Sequence, residues 1–251
     1  MVTGAGKGIG LAVTRALVAE GVHVVAGSRS LSPELESLQS GGAVTFVGVD
    51  LASAEGSTRL LEVAAARGGV DILVNNVGAV TPRTSGFAAI TDEEWVSSFN
   101  LTFLSAVRTV RAALPQLIGR GGGSIVTISS VNAFLPDPTV IDYSAAKAAL
   151  TNFSKSLSKE LGGKGIRVNT VSPGPVQTEL WLGEHGVAST LAKANGSAAD
   201  DIVDSAAAGA ETGRFTFPEE VADLVLFLAS DRAGNVTGAD FVIDGGLIKT
   251  L

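Results

Sequence analysis

The order of apolar segments along the chain is the feature that most limits its fold. Short runs rich in β-branched residues alternate with longer Ala- and Leu-rich stretches. The predicted strands are 22–26, 44–49, 71–74, 124–129, 167–171 and 241–243, and the predicted helices are 33–38, 55–66, 92–117, 143–161 and 218–229. Such alternation predicts βαβ units and a parallel sheet covered on both faces. The predicted fold class is therefore α/β, with a Rossmann-like doubly wound sheet.

Composition narrows the class of protein further. The 251 residues carry a net charge of −7 and 45% hydrophobic residues, with no break that resembles a linker, so residues 1–251 are predicted to form one domain. The acidic balance argues against nucleic-acid or membrane partners. Without cysteine, and with only His23 and His185, no metal site is expected. No targeting segment is evident, so we predict a cytoplasmic protein.

One stretch, residues 179–214, lacks any strand pattern. It combines five glycines with Ala-rich segments that could form helices. Inserted segments of this kind often cover a substrate site, although a plain surface excursion fits the same pattern. We therefore expect a substrate loop at about 179–214.

A glycine-rich turn lies near the amino terminus. After a short apolar start the chain contains glycines in the order G-x-x-x-G-x-G, followed by a helical run. Glycines allow a tight turn and close approach of the backbone, and a helix amino terminus offers free N–H groups to a pyrophosphate. The pattern predicts a dinucleotide site at Gly4, Gly6, Lys7, Gly8 and Ile9; a glycine turn without a ligand is the alternative.

The end of the second predicted strand bears on the choice of dinucleotide. An NAD site usually has a carboxylate there for the ribose 2′-hydroxyl, whereas this chain has Ser28 and Arg29. Lys7 could reach the same position. The residues favour NADP(H), unless both cations are simply solvated surface groups.

Tyr143 is the only tyrosine, and Lys147 follows it by four residues. On a helix this spacing places phenol and ammonium on one face. A nearby cation favours the phenolate, so Lys147 is expected to lower the pKa of Tyr143 toward the working range of an acid/base group. A half-buried tyrosine beside a solvated lysine is the other interpretation.

These motifs together resemble the short-chain dehydrogenase/reductase family along essentially the whole chain. The glycine turn matches that family's cofactor loop, and residues 75–78 match its Asn-Asn-Ala-Gly motif with Val77 in third place. The resemblance implies a catalytic tetrad of Asn100, Ser130, Tyr143 and Lys147. It also implies cofactor contacts from Asp50, Leu51, Asn76, Val77, Gly78, Tyr143, Lys147, Pro173, Gly174, Val176 and Thr178.

Three details of the chain test this resemblance. Because little sequence precedes the glycine turn, either the first strand is short or the true start of the protein lies upstream. Val77 adds bulk near the cofactor, which a packed wall often tolerates. Asn100 lies within the predicted helix 92–117, where Asn is mildly unfavourable, so a kink that holds a water is expected there, with a solvent-facing Asn as the alternative.

The expected activity is NADP(H)-dependent hydride transfer between the nicotinamide and a ketone or secondary alcohol, including a 3-oxoacyl thioester. The alternative is a catalytically silent nucleotide sensor or scaffold on the same fold. Resemblance and apolar helices predict a homotetramer. Arg120 and Lys164 weakly suggest an acyl-carrier partner, and the apolar residues expected around the substrate are Phe134, Leu135, Val140, Ile141, Leu180, Trp181 and Leu182.

Overall fold

Seven parallel strands form one sheet in the computed structural model, which describes residues 1–250. The strands are β1 (Val2–Thr3), β2 (Val24–Ser28), β3 (Val44–Gly48), β4 (Ile72–Asn75), β5 (Gly123–Ile128), β6 (Ile166–Pro173) and β7 (Asp240–Ile243). The predicted α/β class with a doubly wound sheet is confirmed, and the first strand is short, as expected. Each predicted strand is present within two residues at either end.

The strand order is β3-β2-β1-β4-β5-β6-β7. The chain moves outward from β1 to β3, returns to the middle at β4, and then moves outward in the opposite direction. The neighbours β1 and β4 therefore send their connections away from each other, which opens a crevice at their carboxyl ends.

Helices cover both faces of the sheet. On one face lie α1 (Gly8–Ala19), α2 (Pro33–Ser40) and α10 (Pro218–Ala229), and on the other lie α3 (Ala54–Ala66), α5 (Ser105–Gly119) and α6 (Ile141–Leu161). Successive strand residues enter opposite cores: Val24 and Ala26 pack into the first, and Val25 into the second. Burial on both sides explains why the strands read as continuous apolar runs.

The predicted helix 92–117 is interrupted in its middle. It consists of α4 (Asp92–Phe99), a π-helical turn (Asn100–Leu104) and α5. The predicted irregularity at Asn100 is thus present as a π turn, in which the Ser105 N–H donates to the Asn100 carbonyl. The exposed apolar side chains Val96, Leu104 and Ile118 lie along this unit, and the homotetramer stays a prediction.

Residues 179–214 contain only helices and loops. The helices are α7 (Glu179–Leu182), α8 (Val187–Asn195) and α9 (Ala199–Ala208). An isolated bridge between Val176 and Thr216 joins the two flanks of this segment beside β6. Within residues 1–250, no helix is both long and apolar enough to cross a bilayer.

A glycine substitution should show how tightly the turn between β1 and α1 is packed. A Cβ on Gly10 would overlap the Gly4 carbonyl oxygen and lie 2.5 Å from Asn76 Nδ2. We expect Gly10→Ala to destabilise the protein by about 2–3 kcal/mol, because the loop backbone must move. Gly119→Ala is the matched control, since its Cβ meets nothing within 4 Å, and it should raise stability slightly. Urea unfolding of both variants measures the difference, and equal stabilities would contradict this packing.

Candidate active site

A cavity of about 800 Å³ opens at the carboxyl ends of the strands, over the crevice between β1 and β4. Its wall contains every residue predicted from the sequence to contact the cofactor, together with Ser130. The predicted residues in the wall are Gly4, Gly6, Lys7, Gly8, Ile9, Ser28, Arg29, Asp50, Leu51, Asn76, Val77, Gly78, Ser130, Tyr143, Lys147, Pro173, Gly174, Val176 and Thr178. Of the predicted catalytic and cofactor residues, Asn100 alone lies outside the wall.

The glycine turn has the backbone that its sequence predicts. Gly4 and Gly8 have φ angles of 66° and 54°, which side-chain-bearing residues rarely adopt. A Cβ on Gly6 would lie 2.9 Å from Ser28 Oγ. The α1 helix begins at Gly8, and no side chain caps its first N–H groups. The turn therefore presents open backbone donors to the cavity, as an anion requires.

Two cations lie near the expected phosphate position: Arg29, which follows β2, and Lys7, in the glycine turn. Arg29 is exposed and makes no ion pair with residues 1–250. Lys7 instead reaches across the cavity mouth to Glu179, with 3.0 Å between Nζ and Oε2. Ser28 Oγ donates to the Ser30 carbonyl at 2.8 Å. In this state Lys7 and Ser28 both have protein partners, which sequence reasoning did not foresee.

The remaining cofactor residues lie on either side of the turn. Leu51 is buried, and Asp50 accepts the Ala52 N–H at 3.0 Å, which fixes the loop after β3. On the other side, Thr178 closes the loop after β6 by donating its N–H to the Val176 carbonyl at 2.8 Å. The two groups follow β3 and β6, which lie on opposite sides of the β1–β4 crevice, as the two halves of a dinucleotide require.

Ser130, Tyr143 and Lys147 all lie in the wall of the cavity. Ser130 follows β5, and its hydroxyl donates to Asn132 Oδ1 at 3.1 Å and accepts the Asn132 N–H at 3.2 Å. Tyr143 and Lys147 lie one turn apart on α6, with Nζ 5.6 Å from the phenol ring centroid. Lys147 is 3% exposed and donates to the Ile128 carbonyl at 2.7 Å.

The expected effect of Lys147 on Tyr143 is wrong for this structure. Burial raises the pKa of Tyr143 to about 12, and the nearby Ser130 hydroxyl offsets only part of that rise. Burial also lowers the pKa of Lys147 to about 7. The ammonium is itself desolvated and only partly charged near neutral pH, so it cannot compensate for the apolar surroundings of the phenol.

Asn100 is neither in the cavity nor facing solvent. Its amide donates to the Ala52 carbonyl at 2.9 Å, and Arg108 donates to the same oxygen at 2.9 Å. These bonds hold the π turn against the loop that follows Asp50. The neighbour of Asn100, Leu101, enters the cavity wall instead.

The substrate side of the cavity is only partly as predicted. Leu135, Val140, Leu180 and Trp181 line it, whereas Phe134, Ile141 and Leu182 do not. Sequence reasoning missed a further set from three separate segments: Asn132, Asp137, Thr139, Val187, Leu191, Ser205 and Leu247. Proximity to Ser130 could have indicated the first three, but nothing in the sequence places the carboxyl-terminal tail at this wall.

Arg120 and Lys164 lie at the opposite end of the sheet from the cavity. Arg120 follows α5 and binds Asp71 at 2.5 Å, at the amino ends of β4 and β5. Lys164 directly precedes β6. The cavity lies at the carboxyl ends, so neither cation can guide a substrate into the site of the same chain.

Comparison with known proteins agrees with this geometry. The family model described as Enoyl-(Acyl carrier protein) reductase matches residues 4–248. The uncharacterized oxidoreductase YvrD of Bacillus subtilis is 34% identical over 261 residues, which cover 100% of this chain and 96% of that protein. The 3-oxoacyl-(acyl-carrier-protein) reductase FabG of Thermotoga maritima is 34% identical, over 99% of this chain and 96% of the relative.

A solved structure matches along the same length. The L-sorbose reductase of Gluconobacter frateurii, described in complex with NADPH and L-sorbose, superposes with a TM-score of 0.91 at 36% identity, over 100% of this chain and 96% of that chain. Fold, motifs and relatives thus agree over nearly all of the sequence, and this chain belongs to the short-chain dehydrogenase/reductase family of oxidoreductases.

Proposed function

We propose that this protein is an NADPH-dependent reductase that converts a ketone to a secondary alcohol. The observation that carries the proposal is the convergence of Ser130, Tyr143 and Lys147 in the cavity that the glycine turn also lines. A silent sensor or scaffold would not need these three groups together. The direct test is NADPH oxidation against a panel of neutral ketones, polyhydroxy ketones and 3-oxoacyl thioesters.

The cavity suits a dinucleotide in shape and chemistry. The glycines leave space that a Cβ on Gly8 would fill, 3.3 Å from Thr178. Uncapped N–H groups of α1 would hold the pyrophosphate, and Arg29 a 2′-phosphate. Asp50 and Leu51 would hold the adenine, and residues 173–178 the nicotinamide. When bound, the reduced cofactor supplies the hydride.

The protein's own residues would manage the proton. Tyr143 would donate it to the carbonyl oxygen as negative charge develops there. Ser130 would hold that oxygen in place by hydrogen bonding. Lys147, held against the Ile128 carbonyl, would bind the ribose next to the nicotinamide and be the source of a replacement proton.

The state of Tyr143 supports reduction at neutral pH. With a pKa of about 12, the phenol is protonated at neutral pH, and this is the form that can donate. Oxidation of an alcohol needs the phenolate, which is scarce under the same conditions. The protonation state of Tyr143 at neutral pH is therefore the one that reduction needs.

Two observations support NADP(H) over NAD(H). The exposed guanidinium of Arg29 lies at the end of β2, where an NAD site has a carboxylate. The L-sorbose reductase that resembles this chain is described with NADPH. Lys7 can add to phosphate binding only when it leaves Glu179, since that carboxylate holds it at 3.0 Å.

The cavity favours a neutral substrate. Asp137 and Glu179 lie in its wall, and the covering segment 179–214 contains six carboxylates against Lys193 and Arg214. A carboxylate substrate would be repelled there. Apolar Leu135 and Trp181 alternate with polar Asn132, Thr139 and Ser205, which suits a ketone that carries both carbon surface and hydroxyl groups.

Removing the phenol hydroxyl tests the proton donor. We expect Tyr143→Phe to lower ketone turnover by ~10² or more, the usual loss for a positioned proton donor. NADPH affinity and the unfolding midpoint should change little, since the ring remains. Steady-state kinetics, fluorescence titration and thermal unfolding measure the three quantities. Full activity in this variant would end the proposed mechanism.

Charge reversal at the end of β2 tests cofactor choice. Arg29→Asp exchanges attraction for a 2′-phosphate for a carboxylate that can bind ribose hydroxyls. NADPH should bind at least about tenfold more weakly and NADH more tightly. Arg59→Asp, an equal charge change on α3 outside the cavity wall, is the control and should alter neither affinity. Equal wild-type affinity for the two cofactors would refute the NADP(H) assignment.

Burial of Lys147 should lower the stability of the folded protein by an amount that depends on pH. Its pKa is about 7 in the folded chain against an ordinary 10.5, so the unfolded chain binds the extra proton between these values. Stability therefore rises with pH across this window, and the penalty is largest below pH 7. Lys147→Met should raise the melting temperature of the cofactor-free protein at pH 7, and the gain should shrink by pH 10.

The control for that experiment is Lys159→Met, at an exposed lysine on the same helix. It removes the same charge without removing a desolvation cost, so its effect should be small at both pH values. A melting temperature for Lys147→Met below that of the wild type at pH 7 would show that burial of this lysine is not a net cost.

A further inference from the structure

Arg83 forms the most deeply buried ion pair found among residues 1–250. Its guanidinium binds Asp142 Oδ2 through Nη2 and Glu94 Oε1 through Nη1, both at 2.6 Å. The Arg83 and Asp142 side chains are 11% and 3% exposed. Every other ion pair in this range has at least one partner that is 44% exposed or more.

This arginine joins four segments around the active site. Its own segment follows β4, Glu94 lies in the first turn of α4, and Asp142 lies in the first turn of α6 immediately before Tyr143. The Arg83 backbone N–H also donates to the Thr139 carbonyl at 2.6 Å, in the turn that lines the substrate side of the cavity. Arg83 itself lies outside the cavity wall, so it can act on the site only through these neighbours.

Stability alone explains this arrangement poorly. Taking two charges out of water costs free energy, which the pair recovers only with good geometry and full hydrogen bonding. Here Arg83 Nε and Asp142 Oδ1 are buried without a protein partner among the described residues. The contact uses one hydrogen bond where a guanidinium and a carboxylate can form two.

The charges are nevertheless held firmly. Burial by itself would raise the pKa of Asp142, but the Arg83 hydrogen bond and charge keep that pKa below its ordinary value. Asp142 is thus an anion at neutral pH, fixed one residue from the phenol. A tether of this kind sets where the first turn of α6 begins, and hence where Tyr143 points.

We propose that Arg83 is a positioning residue for the reaction: through Asp142 and the Thr139 carbonyl it fixes the start of α6 and the substrate wall, and so the place of the Tyr143 hydroxyl. This inference rests on the proposed role of Tyr143 as proton donor. It applies to the substrates of the proposed function, which are neutral ketones.

The test is a double-mutant cycle between Asp142→Asn and Tyr143→Phe, with ketone turnover and NADPH affinity as readouts. Asp142→Asn keeps the side-chain shape and removes the charge. We expect turnover to fall by about 10- to 100-fold well below the melting temperature, with NADPH affinity unchanged within about twofold. In the Tyr143→Phe background the same substitution should have almost no further effect, because Asp142 acts through the phenol.

Glu94→Gln is the matched control, since it removes the other carboxylate charge from the same guanidinium at a more exposed position. Its turnover should stay within about threefold of wild type. Arg83→Lys provides a second variant if Asp142→Asn does not fold: a lysine keeps the charge but cannot span both carboxylates, and turnover should fall about tenfold.

Each outcome has a distinct meaning. Wild-type turnover in Asp142→Asn, or in Arg83→Lys, overturns the positioning role, as does an equal loss in both backgrounds of the cycle. Full turnover in Tyr143→Phe instead overturns the proposed function itself. A lower melting temperature for Asp142→Asn with unchanged turnover would make the pair structural only, and the inference would fail.

Discussion

Hydrogen bonds between Asn76 and the end of β1 hold together the point where the sheet reverses its order. Asn76 donates its amide to the carbonyls of Thr3 and Gly4 at 3.1 and 3.2 Å, and Thr3 Oγ1 accepts the Asn76 N–H at 2.9 Å. Since β1 contributes only two residues, and one register pair to β4, side chains supply much of the connection. The glycine turn, the Val77 wall and the start of α1 all take their positions from this junction.

Parallel pairing then explains why distant residues become neighbours. The strands β4, β5 and β6 run in register, so Asn76, Ser130 and Gly174 leave the sheet at the same edge. This much follows from the sequence, because strand periodicity gives the fold class and polar residues after the strands mark the edge. Motif spacing then predicts Tyr143 and Lys147 on one helix face, and the structure has them there.

The sequence could not predict how burial and charge together set the pKa values of Tyr143 and Lys147. Spacing places Lys147 beside Tyr143, but only the packed structure reveals that both are desolvated, which reverses the expected direction of the phenol pKa. The Lys7–Glu179 contact joins residues 172 positions apart, beyond any local pattern. Asn100 was expected beside the chemistry, yet its amide holds the π turn to Ala52. Tertiary packing places the tail residue Leu247 in the cavity wall, and no local sequence pattern predicts this.

Helix α6 carries three polar side chains whose desolvation costs free energy, and they lie where the chemistry is expected. Within two turns it carries a buried carboxylate, a half-buried phenol and a buried lysine. An apolar replacement at any of these positions would avoid a desolvation cost. The sheet can bear that cost because the two apolar cores on its faces are extensive and closely packed. In such surroundings the phenol of Tyr143 stays protonated at neutral pH, because desolvation disfavours its anion.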